Sequence, residues 1–459
     1  MIFRQYYLGC LSQASYLIAD PSTGRAVVVD PRRDIDQYLA DAREIGAEIE
    51  LVIETHFHAD FLSGHLELAR ATGAEIGYGE GADPAFAWRP LRDGERISLG
   101  EVALEVRATP GHTPESISIV VYEHADDDVP YGVLTGDTLF IGDVGRPDLL
   151  SSVGVSADEL AADLYRSVHT KLLTLPDETR VFPGHGAGSA CGKNLSSETT
   201  STIGAQRRTN YALAPMSESD FIRAVTEGQS SAPAYFSYDA RRNREEHPLL
   251  DEGADVAKLS LDEVIAARDD GAVVLDVRDA SDYASGHLSG SINVGVYGRF
   301  AEYVGAVLDP HVSVVIVSDA GLEREARNRL ARIGFDHVVG ALDDPVRAFL
   351  EHPDRVTSSS RVTASELRER LTAVPVQIVD IRSAGELADG SIEGAVHVPL
   401  TELASRRDEL DPTRPVVVYC AGGYRSMIAS SLLSANGFAD VSDLIGGYGA
   451  WTPVDATSR

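Results

Sequence analysis

The sequence predicts a multidomain α/β protein: one large N-terminal unit, then two smaller α/β units with parallel sheets. Three observations predict it. A chain of 459 residues is too long for one core, so two to four domains are expected. Short apolar runs alternate with stretches of helical spacing, as in βα units. A block in the second half also repeats. Asp276-Val277-Arg278-Asp279-Ala280 returns as Asp380-Ile381-Arg382-Ser383-Ala384, 104 residues later, and a period that long means tandem domains rather than a solenoid. The expected divisions are residues 1–250, 256–352 and 360–459.

Composition bounds the function. The chain is 43% hydrophobic with a net charge of -31. That is an ordinary globular composition, and the acidity argues against nucleic acid and anionic membranes as partners. Basic residues are mostly Arg; Lys appears only at Lys171, Lys193 and Lys258. The N-terminal stretch Met1–Tyr7 lacks the apolar core of a signal peptide, and no apolar run is long enough to span a bilayer. The three cysteines, Cys10, Cys191 and Cys420, are far apart and odd in number. The expectation is a reducing cytoplasm and one or more working thiols rather than a disulfide framework.

In the first unit, Ser15–Ile18 and Ala26–Val29 read as strands around a Pro-Ser-Thr-Gly turn, and Asp34–Ile45 reads as a helix. The apolar run Ile49–Glu54 is of strand length, and Leu62, Leu66, Leu68 and Ala69 continue at helical spacing. Between them lies Thr55-His56-Phe57-His58-Ala59-Asp60-Phe61. If strand geometry persists, His56 and His58 point to one side. Two imidazoles and a carboxylate in five residues suit a borderline divalent metal. Three later strand ends supply matching pieces. Val102–Val106 runs into Thr109-Pro110-Gly111-His112-Thr113-Pro114, Val133–Gly136 leads to Asp137, and Val181–Gly184 leads to His185. One such residue is a weak signal; four, with glycines beside them, point to a convergent metal site.

These segments resemble the metallo-β-lactamase fold superfamily over roughly the first half of the chain. The resemblance implies a four-layer αββα sandwich with the site at one edge. Dinuclear members such as glyoxalase II-like thioester hydrolases carry HxHxDH, but here Phe61 holds the last position and offers no lone pair. A single metal is therefore expected. The marks Thr55–Asp60 and Gly136-Asp137-Thr138-Leu139-Phe140 resemble the persulfide dioxygenase family. That resemblance implies one Fe(II) per chain on His56, His112 and Asp137, with positions left for a thiolate and O2. His58, Asp60 and His185 would orient the ligands or hold bound water. Arg146, in Gly145-Arg146-Pro147-Asp148, resembles the arginine that meets the carboxylate of the thiol, with a salt bridge to Asp143 or Asp148 as the other reading. The small-residue loop after His185 brings Cys191 and Lys193, read as candidate substrate contacts; a buried thiol is the plainer reading of Cys191. Tyr238–Glu246 reads as a charged connector.

The repeated units resemble rhodanese domains in their Asp-x-Arg strand ends, Gly-x-x-x-Gly turns and Gly-Phe pairs. In the second, Val416–Tyr419 leads to Cys420-Ala421-Gly422-Gly423-Tyr424-Arg425-Ser426, followed by helical spacing to Ala435. Backbone N–H groups of such a loop, Gly422 and Gly423 included, can curl around one sulfur atom, and the helix N-terminus adds positive potential. Arg425 is expected to support an anionic persulfide or sulfur oxyanion. The matching loop of the first unit, Val317-Ser318-Asp319-Ala320-Gly321-Leu322-Glu323-Arg324, has no cysteine and two acids, and reads as catalytically silent.

Together the resemblances imply an Fe(II) persulfide dioxygenase that converts a small-molecule thiol persulfide and O2 to sulfite and thiol, as in sulfide detoxification. A Cys420 sulfurtransferase would be coupled to it, joining sulfane sulfur and sulfite as thiosulfate or running in reverse. Family resemblance favours a homo-oligomer. The alternative is a Zn-dependent glyoxalase II-like thioester hydrolase with a sulfur-carrier domain.

Overall fold

The computed structural model describes residues 1–149, 154–193, 195–229 and 232–452. It divides into two compact units, Met1–Glu252 with Ala331–Gly334, and Gly253–Leu330 with Phe335–Arg459.

In the first unit the strand Ile2–Leu8 pairs antiparallel with Gln13–Asp20, and that strand with Arg25–Val29. Glu48–Ile53, Glu75–Gly79 and Arg89–Leu91 then add in parallel, giving a six-stranded sheet. A second six-stranded sheet is built mainly from Ala103–Ala108, Ile117–Tyr122, Gly132–Gly136 and Arg180–Pro183. Alternation along the strands gives each sheet two apolar faces. Ile18, Val27, Val29, Ile53, Leu104, Val106, Ile119 and Leu134 fill the space between the sheets. On the outer faces, Tyr38 and Ala42 of the helix Asp36–Ile45 cover the first sheet. Leu164 of Ala157–Ser167 and Phe221 of Glu218–Thr226 cover the second. The result is the four-layer αββα sandwich.

The segment expected as a charged connector is not one. Phe236–Arg242 is a helix, and Asp239 and Asn243 at its end are fully buried. Its charged residues hide the signal, and the buried Asn243 amide is satisfied by a loop far away in sequence.

The second unit holds two five-stranded parallel sheets of the same strand order. One runs Lys258–Leu259, Val338–Leu342, Val314–Val317, Val273–Asp276, Ile292–Asn293; the other runs Ser360–Val362, Val441–Leu444, Val416–Tyr419, Gln377–Asp380, Val396–His397. The Asp-x-Arg repeat has one structural job in both. Arg278 Nη2 donates to Asp276 at 2.6 Å and to the Gly286 carbonyl at 2.9 Å; Arg382 Nη2 donates to Asp380 at 2.7 Å and to the Gly390 carbonyl at 2.6 Å. Each pair ties a buried strand end to the following Gly turn.

Candidate functional site

Four loops at one edge of the sandwich meet. The strand Glu48–Ile53 ends before His56, so strand geometry does not persist through the motif. The two rings nevertheless lie side by side, with centroids 4.2 Å apart and planes tilted by 57°, but His58 has partners of its own. Its Nε2 lies 3.1 Å from Asp30 and 3.2 Å from Glu54. Burial opposes a charge on His58, but these carboxylates outweigh it and raise its pKa to about 10. Burial raises the Glu54 carboxyl to about 7. His58 thus belongs to a buried ion pair beneath the site.

His56, His112 and Asp137 converge. Their potential ligand atoms lie within 4.8 Å of one another, all buried. His56 Nε2 is 3.9 Å and His112 Nε2 3.6 Å from Asp137 Oδ2. Both imidazoles are anchored through the opposite nitrogen, His56 Nδ1 to the Thr55 hydroxyl and His112 Nδ1 to the Arg146 carbonyl, each at 2.9 Å. Among the described residues, His56 Nε2 is buried without a hydrogen-bond partner. Burial and the neighbouring His58 hold its pKa well below the ordinary value. A neutral imidazole with an unsatisfied buried lone pair is the form a metal takes up. Burial would raise the Asp137 carboxyl, but the His185, His56 and His112 imidazoles outweigh it and hold it far below the usual carboxylate range. The donor set therefore fits a divalent ion.

His185 and Asp60 flank this set. His185 Nδ1 lies 2.8 Å from Asp137 Oδ1, and its Nε2 lies 2.7 Å from Asp60 Oδ2. Burial opposes its charge, yet Asp137 and Asp60 raise its pKa well above the ordinary value. It is tied to the first sheet, since Ala14 N–H donates to the Gly184 carbonyl and Gly186 N–H to the Ser12 carbonyl. Cys191 is buried beside it, close to Asp60 and His185. Burial and then the Asp60 and Asp137 carboxylates push its thiol up.

Other expected residues are engaged elsewhere. Arg146 is buried and grips Asp148 with two donors, each at 2.7 Å, and the Ala190 carbonyl at 3.2 Å. Lys193 Nζ donates to the Ala224 carbonyl at 2.7 Å and to the Glu227 carbonyl, at the end of the helix Glu218–Thr226. A further histidine, His65, which sequence reasoning did not assign to the site, opens the helix His65–Thr72 with its ring centroid 5.0 Å from that of Phe86. Several groups were invisible in sequence. Asn243 Nδ2 donates to the His58 and Phe61 carbonyls at 2.8 Å, its Oδ1 accepts the Ser63 N–H at 2.9 Å, and the Tyr235 hydroxyl donates to the Asp60 carbonyl at 3.1 Å. These hold the metal loop from 170 or more positions away in sequence, and a buried asparagine after a charged helix was the only local hint.

In the second unit Cys420 follows the strand Val416–Tyr419 and is buried. The Gly423 N–H donates to its Sγ at 3.1 Å, and the Ser426 hydroxyl lies 3.8 Å away. Gly423 has φ +105°, so a Cβ there would be strained, and the helix Tyr424–Ala435 starts at the next residue. Gly422 has open space around it. Arg425 pairs bidentately with Glu386 at 2.6 and 2.8 Å.

Residues 8–185 match the Metallo-beta-lactamase superfamily, and residues 260–352 and 363–453 each match the Rhodanese-like domain. The human mitochondrial persulfide dioxygenase ETHE1 is 30% identical over 226 residues, 49% of this chain and 80% of that protein. An uncharacterised protein of Mycobacterium leprae (strain TN) is 33% identical over 242 residues, 46% of this chain and 99% of that protein. A solved metallo-beta-lactamase from Staphylococcus aureus subsp. aureus COL is 34% identical, with a TM-score of 0.67 covering 74% of this chain and 98% of that one. The chain therefore belongs to the metallo-β-lactamase superfamily, has persulfide dioxygenases among its homologues, and carries two rhodanese-like domains in tandem behind its first domain.

Proposed function

We propose that the chain is an Fe(II) persulfide dioxygenase joined to a sulfurtransferase. The observation that carries the first half is the donor set. Two buried imidazoles and one buried carboxylate converge, while His58 is engaged in its own ion pair and Phe61 replaces a further ligand. Two histidines and a carboxylate suit a non-haem iron centre that activates O2. The net reaction R-S-SH + O2 + H2O → R-SH + H2SO3 balances. Fe(II), when bound there, supplies the redox chemistry with O2 that no side chain of the site has.

The chain's residues do the rest. The Arg146 carbonyl and the Thr55 hydroxyl hold the two imidazoles in orientation by their Nδ1 atoms, leaving Nε2 to face Asp137. His185 fixes the Asp137 carboxylate. Its Nε2 also lies 2.7 Å from Asp60 Oδ2, so an ion-pair contact sits beside the reacting centre.

In the second half, Cys420 is the nucleophile. Its thiolate attacks the outer sulfur of R-S-SH, R-S⁻ leaves, and Cys420-S-SH remains. The Gly423 N–H, directed at Sγ, supports the negative sulfur. Homology to a persulfide dioxygenase over the first half and to rhodaneses over the second supports this pairing of substrates.

The test is reconstitution of the metal-free chain with Fe(II) or Zn(II), followed by glutathione persulfide and O2. The expected result is sulfite from the iron protein alone, at one iron per chain. Thioester hydrolysis by the zinc protein, with no sulfite from the iron protein, would replace the reading with hydrolysis.

A further inference from the structure

The cysteine-less domain lies against the mouth of the Cys420 loop. The Tyr424 hydroxyl, next to Arg425 in the loop, donates to the Gly295 carbonyl of the first rhodanese-like domain at 2.6 Å. A Cβ on Gly298 would come within 2.4 Å of the Tyr424 ring, so glycine there admits the ring. Tyr303, on the helix Phe300–Val307 of the same domain, meets Tyr424 with ring centroids 5.7 Å apart. Arg299 Cζ lies 5.7 Å from the centre of the Tyr303 ring, and Arg299 pairs with Glu302. Ring contacts thus fix Tyr303, while its hydroxyl makes no hydrogen bond among the described residues.

Tyr424, which the Tyr303 ring meets, directly precedes Arg425 in the chain, so the phenol lies within electrostatic reach of the transfer site. Tyr303 and Arg425 act on each other electrostatically, and both feel Cys420. Burial raises the Tyr303 phenol above its ordinary value and Glu302 adds to the effect, so the group stays protonated and serves as a donor. Two of the five guanidinium N–H donors of Arg425 go to Glu386, which leaves the others to share an anion with the phenol.

We propose that Tyr303 of the cysteine-less domain is a substrate-binding residue of the Cys420 site, donating its hydroxyl hydrogen to an oxygen of a sulfur oxyanion held with Arg425. The inference rests on the sulfurtransferase reading above and gives the silent domain a task, as one wall of its neighbour's active site. In the step served, the sulfite sulfur lone pair attacks the outer sulfur of Cys420-S-S⁻. The new S–S bond makes thiosulfate, the old one breaks, and its electron pair returns to Cys420 Sγ. Total charge is conserved without any further reactant. The phenol hydrogen stays on Tyr303 throughout and binds an oxyanion oxygen.

The experiment is steady-state sulfur transfer from glutathione persulfide to sulfite by the full chain carrying Tyr303→Phe, Tyr424→Phe or Cys420→Ser. Tyr303→Phe keeps the ring and removes only the donor. It is expected to raise the KM for sulfite by about ten- to a hundredfold, the range for losing a hydrogen bond to an anion, with kcat changed much less. Tyr424→Phe, which loosens the wall through Gly295, is expected to raise the same KM by a smaller factor. An unchanged KM in Tyr303→Phe, or a fall in kcat alone, overturns the inference while Cys420→Ser still abolishes transfer. Transfer that survives Cys420→Ser overturns the underlying sulfurtransferase reading instead.

Discussion

Gly184→Ala tests whether the position of Asp137 matters to within a fraction of an ångström. A Cβ on Gly184 would stand 2.6 Å from Asp137 Oδ1, where ordinary contact needs at least 3.4 Å, a deficit of about 0.8 Å. The Gly136 carbon and oxygen, at 3.2 and 3.3 Å, block relief on the backbone side. Gly184 does not have positive φ, so alanine adds no backbone strain. The carboxylate must yield, and with it the bond to His185. Metal sites tolerate about ±0.2 Å in ligand distance, so the displacement exceeds the tolerance several-fold. The expected result is a loss of about 100-fold or more in metal affinity, beyond the range of about 10–100-fold for removing one supporting group. The αββα core should persist, since the added methyl sits at its edge. The assay is a competitive metal titration alongside far-ultraviolet circular dichroism. A folded variant that binds one ion with native affinity would refute the reasoning.

Three further outcomes are expected. Burial would raise the Glu386 carboxyl, but Arg425 and Ser383 outweigh it and lower it to about 2. Allowing for the solvent reaching this pair, the interaction contributes about 1–2 kcal/mol. Because the folded value is depressed, that stability is present above the ordinary carboxylate value and is lost as pH falls through about 2. The gap in unfolding midpoint between the native chain and Glu386→Gln should therefore be widest near neutral pH and shrink on acidification; a gap constant with pH contradicts the pairing. Gly423→Ala forces a side chain into φ +105° at a cost of about 1–3 kcal/mol, so transfer through Cys420 should fall while O2 uptake does not. Asn243→Ala leaves the buried His58 and Phe61 carbonyls without their donor, costing about 1–3 kcal/mol; melting of the first domain reads this, and an unchanged midpoint would show that the loop holds itself.

The sequence made legible whatever is local. Each metal-loop residue sits one to four positions past an apolar strand, with a glycine directly before the last three, so His56, His112, Asp137 and His185 could be found one loop at a time. Cys420, its Gly-rich loop and its helix lie within twenty residues, and the Asp-x-Arg repeat announced two copies of one domain. What stayed hidden depends on distant partners. His58 was read with His56 because alternation assumes a strand, and the strand stops at Ile53. The pull of Asp30 and Glu54 on its ring has no signature at that spacing. Asn243 and Tyr235 support the metal loop across the chain, where no periodicity reports. Charge type alone also did not show the partners of the cations: Lys193 meets carbonyls at a helix end, and Arg146 holds Asp148, the other reading of that residue. The cysteine-less domain showed what it lacks, whereas the contact of its Tyr303 with Tyr424 depends on the fold.

The most direct test of the account is oxygen consumption by the Fe(II)-loaded chain on addition of glutathione persulfide, measured with the native protein and with His112→Ala. The account predicts one O2 taken up per persulfide consumed, sulfite or thiosulfate as product, and no uptake above background in His112→Ala. Persulfide turnover without O2 uptake, or uptake that survives His112→Ala at one bound iron, would contradict it.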